Sequence, residues 1–139
     1  MTARPPIIIM GMHRSGTSMV TRLMEQLGLF VGQETDTNNE SLFFQALNDW
    51  ILCQAGSTWD NPEPIRWLAE DVQGCDLIVE YLRSILKSRA SNSYLGRWRH
   101  MRFGADFSCI GPWGWKDPRN TFTLPIWLRL FPDARVIHV

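Results

Sequence analysis

The sequence has no excess of charge of either sign, because 14 Lys and Arg residues balance 14 Asp and Glu residues over 139 positions. This balance argues against a domain that binds nucleic acid through its overall positive charge, so an anionic ligand must be bound by a local cluster of cations. The chain also lacks an apolar run long enough for a membrane span or a signal peptide. We therefore predict a cytoplasmic protein with neither a nucleic-acid partner nor a membrane span.

Cysteine is scarce as well, with only Cys53, Cys75 and Cys109 and no C-x-x-C pair. Such a set is typical of reduced thiols in an intracellular protein rather than of a disulfide framework or a zinc site. Low-complexity tracts and internal repeats are missing, and 45% of the residues are hydrophobic. The composition predicts one globular domain over residues 1–139.

A short apolar run leads straight into a glycine-containing loop. Residues 7–10 read Ile-Ile-Ile-Met, which predicts a strand buried in a parallel sheet, and residues 19–29 have the apolar spacing of a helix. A strand, a loop and a helix N-terminus form an anion-binding site, because free backbone N–H groups and the helix dipole both favour negative charge.

This loop lacks the lysine of an ATP-type phosphate-binding loop. Gly11 and Gly16 have the required spacing, but Thr17 occupies the position of the phosphate-reaching lysine, and the cation is Arg14. A P-loop phosphotransferase needs that lysine together with Mg²⁺ to neutralise the charge of a triphosphate. A nucleotide-dependent phosphotransferase is therefore the disfavoured alternative function.

The rest of the chain alternates predicted helices and strands. Helices are predicted over residues 40–55, 65–70, 75–89 and 121–131, and strands over residues 109–116 and 134–139. Residues 88–104 are polar and basic, which predicts a loop or an insertion. The order of elements predicts a three-layer α/β/α domain whose parallel sheet binds ligands at the carboxyl ends of its strands.

Three segments together carry a family resemblance. They read Gly-Met-His-Arg-Ser-Gly-Thr-Ser at residues 11–18, Trp-Gly-Trp-Lys-Asp-Pro-Arg at residues 113–119 and Phe-Pro-Asp-Ala-Arg-Val-Ile-His-Val at residues 131–139. In this order they resemble the sulfotransferases that depend on 3′-phosphoadenosine-5′-phosphosulfate (PAPS). The similarity is greatest to a bacterial group that shares the R-S-G-T and K-D-P elements with tyrosylprotein sulfotransferases.

The resemblance implies a P-loop-like fold and transfer of a sulfuryl group from PAPS, without a metal, to a hydroxyl or amine. The acceptor would be a small molecule, a carbohydrate or a peptide, and the product of the donor would be adenosine 3′,5′-bisphosphate (PAP). In this family Arg14 would clamp the 5′-phosphate and the bridging oxygen, and Lys116 would reach the sulfuryl group in the transition state. The implied donor-binding residues are Gly11, His13, Arg14, Ser15, Gly16, Thr17, Ser18 and Arg119.

Two assignments within this set have alternatives. Glu34 matches the catalytic glutamate of the tyrosylprotein enzymes because it lies in a Gly-Gln-Glu-Thr segment, while Glu40 and His13 are the other candidates for the base. Arg119 either contacts an anion or forms an ion pair with Asp117.

In the family, the strand that matches residues 134–139 continues into an Arg-x-Pro segment and a serine that bind the 3′-phosphate. The sequence stops at Val139, so we expect a domain that is truncated after this strand, binds PAPS weakly and turns over poorly by itself. A non-catalytic remnant that binds PAP is the second alternative function. The basic residues 97–102 either attract an acidic acceptor or the donor, or form a solvated face.

Overall fold

The computed structural model describes residues 4–139 and contains a three-stranded parallel sheet. The strands are β1 (Ile7–Met10), β2 (Gly114–Lys116) and β3 (Arg135–His138), and β1 lies in the centre of the order β2-β1-β3. In this register Ile8 of β1 pairs with Trp115 of β2 and with Val136 of β3. The predicted α/β class with a parallel sheet is confirmed.

Seven α-helices and two short 3-10 helices are formed by the described residues. The α-helices are α1 (Thr17–Gln26), α2 (Leu42–Gln54), α3 (Ile65–Glu70), α4 (Val72–Lys87), α5 (Asn92–Leu95), α6 (Arg97–Phe103) and α7 (Asn120–Leu130). The 3-10 helices span Arg89–Ser91 and Phe107–Ile110. Within residues 4–139, the helices are all too short or too polar to cross a membrane.

Capping side chains determine where two of the helices begin. Ser41 accepts a hydrogen bond from the Phe44 amide and starts α2, and Asp71 accepts one from the Gly74 amide and starts α4. The apolar spacing predicts a start at Cys75 for α4, which is three residues later than Val72. The difference arises because the first turn of a capped helix contributes little to the apolar face.

Residues 88–104 contain helices, so the predicted loop is wrong, and the alternative of an insertion stays a prediction. Tyr94 and Leu95 are buried in the core, and the Tyr94 hydroxyl lies 2.6 Å from the Gly114 carbonyl oxygen of β2. Ser88 caps the first turn by accepting a hydrogen bond from the Ala90 amide. Two buried side chains thus anchor a segment whose polar composition otherwise predicts solvent exposure.

The predicted strand over residues 109–116 is shorter than expected. Gly114–Lys116 forms β2, and Cys109 and Ile110 belong instead to a 3-10 helix that Asp106 caps. Gly114 lies so close to β1 that an added Cβ would stand 1.9 Å from the Ile7 carbonyl oxygen. Only glycine fits this register, which sets where the two strands can begin to pair.

Alternate residues of β1 face two separate apolar clusters. Ile8 packs in the larger cluster with α2, α4 and α7, and Ile9 packs in the smaller one beside Met24 of α1. The sheet therefore has helices on both faces. Trp113 and Trp115 lie in the larger cluster with ring centroids 6.2 Å apart, which confirms that both indoles occupy one face of the sheet.

A buried polar network joins α2 to the turn after β2 and to α7. Asn48 of α2 has no exposed surface, and its Nδ2 donates to Asp117 Oδ2 and to Asn120 Oδ1, both at 2.9 Å. Its Oδ1 accepts from Thr123 Oγ1 and from Trp127 Nε1, both at 2.8 Å. The network satisfies every polar atom of the Asn48 side chain and holds the turn that follows β2.

Replacing Asn48 with Ala is expected to lower the free energy of unfolding by about 3 kcal/mol, because the buried partners Asp117, Thr123 and Trp127 lose their hydrogen bonds. Urea denaturation measures the change. Gln54→Ala, at an exposed position of the same helix, is the matched control and should change the free energy by less than about 0.5 kcal/mol. A loss below about 1 kcal/mol for Asn48→Ala would contradict the importance of the network.

Candidate functional site

A cavity of about 730 Å³ opens at the carboxyl ends of β1 and β2. Its walls are formed by the β1–α1 loop, by the segment before α2, by the end of β2 and by the loop residue Trp59. The lining residues are His13, Arg14, Gly16, Thr17, Ser18, Asn38, Glu40, Trp59, Lys116 and Pro118. We call this space the catalytic cavity, after the role that is proposed for it below.

The β1–α1 loop has an unusual backbone conformation. Arg14 has φ 63° and Gly16 has φ 94°, so both lie in the left-handed region, which only glycine adopts without strain. The Ser15 amide donates to the Met12 carbonyl oxygen at 3.1 Å and closes the turn. Because Gly16 caps α1 without a side chain, the first amides of the helix have no side-chain acceptor there and are available to an anion.

Lys116 ends β2 as a buried cation beside the cavity. Its side chain is 2% exposed, and Nζ donates to Glu40 Oε1 at 3.1 Å and to the Asn38 carbonyl oxygen at 2.9 Å. The other Glu40 oxygen, Oε2, accepts from Gln45 Nε2 at 3.1 Å. Both charges of this buried pair are thus compensated and hydrogen-bonded, as a low-dielectric site requires.

The segment before α2 is fixed by its own hydrogen bonds and by α1. Asp36 Oδ1 accepts from the Asn38 amide at 2.8 Å and from the Glu40 amide at 2.9 Å. Ser18 of α1 donates from Oγ to the Asn38 carbonyl oxygen at 3.0 Å. The Asn38 carbonyl oxygen therefore accepts hydrogen bonds from both Ser18 and Lys116. This shared acceptor sets the distance between the start of α1 and the end of β2.

Arg119 forms ion pairs with carboxylates of the turn and of α2. Its Nη1 lies 3.1 Å from Asp117 Oδ1, its Nε lies 2.7 Å from Asp49 Oδ1, and Nη1 lies 3.8 Å from Glu40 Oε2. Burial raises the pKa of Asp117, and hydrogen bonds from Asn48 and the Arg119 amide together with the Arg119 charge act in the opposite direction. Of the two roles considered for Arg119, pairing with Asp117 is present in the structure.

The structure brings most of the sequence-predicted site residues together. His13, Arg14, Gly16, Thr17, Ser18 and Lys116 line the catalytic cavity. Gly11 and Arg119 line a neighbouring space of about 160 Å³. Within residues 4–139, Ser15 and Glu34 belong to the lining of neither space.

Glu34 is exposed, and its amide donates to the Ser93 carbonyl oxygen at 3.1 Å. Glu40, named as a reserve candidate for the base, instead lines the cavity. Sequence analysis missed Asn38, whereas Pro118 belongs to the Lys-Asp-Pro-Arg segment that it singled out. Asn38 acts through a main-chain carbonyl oxygen, which no pattern of side chains marks.

These elements define an α/β domain with a cavity between a glycine-containing loop and a buried lysine. A family model described as the sulfotransferase family matches residues 5–139, so the chain belongs to that family. No curated protein and no solved structure matches the chain. The match confirms the resemblance at the level of the sulfotransferase family, which is a family of transferases.

Replacing one partner of the Lys116–Glu40 pair should lower the free energy of unfolding more than replacing both partners. Lys116→Met or Glu40→Gln alone is expected to lower the free energy of unfolding by about 3 kcal/mol, because the remaining charge stays buried without its partner. The double variant should lose less than either single variant, which requires a regain of more than about 3 kcal/mol of the summed loss, as measured in a urea double-mutant cycle.

The exposed pair Arg66–Glu63, with side chains 79% and 75% exposed, provides the control cycle. Its coupling energy should be below about 0.5 kcal/mol. Equal coupling energies for the two pairs would show that burial does not strengthen the Lys116–Glu40 interaction.

Proposed function

We propose that this domain transfers a sulfuryl group from PAPS to a hydroxyl or amine acceptor in the catalytic cavity. The observation that carries the proposal is the juxtaposition of the Arg14 loop with the buried Lys116 across one cavity. The family membership supports sulfuryl transfer in general. The donor and the residues that act on it are part of the proposal.

The chemistry of the cavity walls suits a phosphosulfate. Its volume of about 730 Å³ falls within the range of about 300–1,000 Å³ that is usual for small-molecule sites. The α1 amides and the Thr17 hydroxyl offer hydrogen-bond donors, and the exposed Arg14 offers a bidentate cation. These groups would hold the 5′-phosphate of PAPS, which supplies the sulfuryl group.

The reaction is an in-line displacement at sulfur. The acceptor oxygen or nitrogen forms a bond to sulfur while the bond between sulfur and the bridging phosphate oxygen breaks. Arg14 stabilises the negative charge that develops on the departing phosphate, and Lys116 stabilises charge on the sulfuryl oxygens. To do so, Lys116 must exchange Glu40 Oε1, now at 3.1 Å from Nζ, for the sulfuryl group.

The acceptor proton needs a base, and we propose Glu40 for this role. Glu40 is the one carboxylate among the described residues that line the catalytic cavity, whereas Glu34, implied by the family resemblance, is exposed outside the lining. When Lys116 moves to the sulfuryl group, Glu40 Oε1 is released to accept a proton. His13 also lines the cavity and is the remaining alternative.

PAP is expected to stabilise the protein without Mg²⁺, by about 2.7 kcal/mol when its concentration is about 100 times the Kd. Arg14→Ala should weaken binding by about 10- to 100-fold because it removes a charged hydrogen-bond donor. Thermal shift and calorimetry measure both effects. Arg66→Ala, at an exposed position of α3, is the control and should bind like the parent chain. A response to Mg-ATP but not to PAP would instead favour a phosphotransferase.

Glu40→Gln is expected to lower the rate of sulfuryl transfer by about 100-fold or more, because the amide cannot accept the acceptor proton. Glu34→Gln should stay within about twofold of the parent rate. The assay follows sulfated product from radiolabelled PAPS with a panel of hydroxyl and amine acceptors. Glu40→Asp should restore part of the activity and of its pH dependence, which separates proton transfer from loss of the Lys116 pair. The reverse order of the Glu40 and Glu34 effects would assign the base to Glu34.

A further inference from the structure

The positive charges of this neutral chain are concentrated in one segment. Residues 81–105 contain no Asp or Glu, and six of the 14 Lys and Arg residues fall there. These six are Arg83, Lys87, Arg89, Arg97, Arg99 and Arg102. The acidic residues on either side are already engaged, because Glu80 pairs with Arg83, and Asp106 accepts hydrogen bonds from the Ser108 amide and hydroxyl.

Part of this charge surrounds a second cavity, which we call the basic cavity. It has a volume of about 430 Å³ and is lined by Arg89, Asn92, Arg97, His100 and Met101. These residues come from the 3-10 helix at 89–91, from α5 and from α6. Across residues 4–139, the ion pairs involve neither Arg89 nor Arg97.

Two residues that line this cavity each carry a buried polar atom without a hydrogen-bond partner. These atoms are Asn92 Oδ1 and His100 Nε2. A buried polar group without a partner costs about 1–3 kcal/mol, so a ligand that satisfies it is favoured. His100 Nε2 can donate a hydrogen bond when it carries a proton. If the side-chain amide group of Asn92 is flipped, its NH₂ group takes the place of Oδ1 and can donate as well. Two arginines and two further donors then converge on one space, which is the donor set of an oxyanion site.

The basic cavity is connected to the catalytic cavity through the main chain. The Gln33 and Glu34 amides donate to the Tyr94 and Ser93 carbonyl oxygens at 2.8 and 3.1 Å. The same segment continues to Asn38 and Glu40, which line the catalytic cavity. The segment of residues 33–40 therefore runs from α5 to the catalytic cavity.

We propose that the basic cavity is a second oxyanion site, which binds a sulfate, phosphate or carboxylate group carried by the acceptor molecule. The oxyanion accepts hydrogen bonds from Arg89, Arg97 and His100, and the acceptor is therefore an anionic molecule. The statement about the acceptor rests on the proposed sulfuryl transfer, whereas the oxyanion site itself does not.

The chain contains three histidines, and each reports on a different place in proton NMR. His100 lines the basic cavity, His13 lines the catalytic cavity, and His138 lies on β3 outside both. Replacing each with Gln assigns the imidazole resonances. The parent chain is then titrated with sodium sulfate at constant ionic strength, with chloride as the balancing anion, so that general screening stays unchanged.

Sulfate is expected to shift the His100 resonance in a saturable manner, and the double variant Arg89→Ala/Arg97→Ala should abolish that shift. Arg129→Ala removes a cation of an exposed ion pair on α7 and is the matched control, which should respond like the parent chain. An unchanged His100 resonance in the parent chain, or an equal response in the double variant, would overturn the oxyanion site.

Dextran sulfate and uncharged dextran test whether the anionic group belongs to a larger molecule. Dextran sulfate should shift His100 at a lower concentration of sulfate groups than inorganic sulfate does, and dextran should have no effect. A response to inorganic sulfate alone would overturn the assignment to the acceptor. PAP should shift the His13 resonance and leave the His100 resonance unchanged. A missing His13 response would refute the proposed donor site. The response of His100 to sulfate would still test the second oxyanion site independently.

Discussion

The buried hydrogen bonds of Asn48 are the constraint on which the position of Lys116 in the site depends. They connect α2 to Asp117 and Asn120, and Asn120 in turn donates to the Ile9 carbonyl oxygen of the central strand at 3.1 Å. The turn after β2 is therefore tied to both the sheet and a helix. Lys116 immediately precedes this turn. The same hydrogen bonds therefore determine the position of its ammonium group.

Charge in this protein is organised locally rather than globally. Arg119 pairs with Asp117 and Asp49, and both it and Lys116 lie within 4 Å of Glu40, which forms a buried ion pair with Lys116 at the cavity wall. Such a pair is stable in the absence of a ligand, and an incoming anion must compete with Glu40 for Lys116. In the proposed function, anion binding and release of the carboxylate are coupled through this one ion pair.

The elements that could be predicted from the sequence are those whose signal is local. The apolar strand at residues 7–10, the helix at residues 65–70 and the two indoles on one sheet face all follow from short-range periodicity. The helices within residues 88–104 could not be predicted in this way. These helices are held in place by Tyr94, whose hydroxyl donates a hydrogen bond to the Gly114 carbonyl oxygen, twenty residues later in the chain. The polar composition of the segment does not predict such a contact.

The sequence by itself determined the glycine and arginine loop, the lysine that ends β2 and the family to which they point, because each belongs to a contiguous motif with its own chemistry. The tertiary structure decided which carboxylate stands at the cavity. Glu34 and Glu40 are only six residues apart, yet one is exposed and the other is buried against Lys116. That difference arises from the turn around Asp36 and from long-range pairing across 76 residues, and no local pattern of residues encodes either.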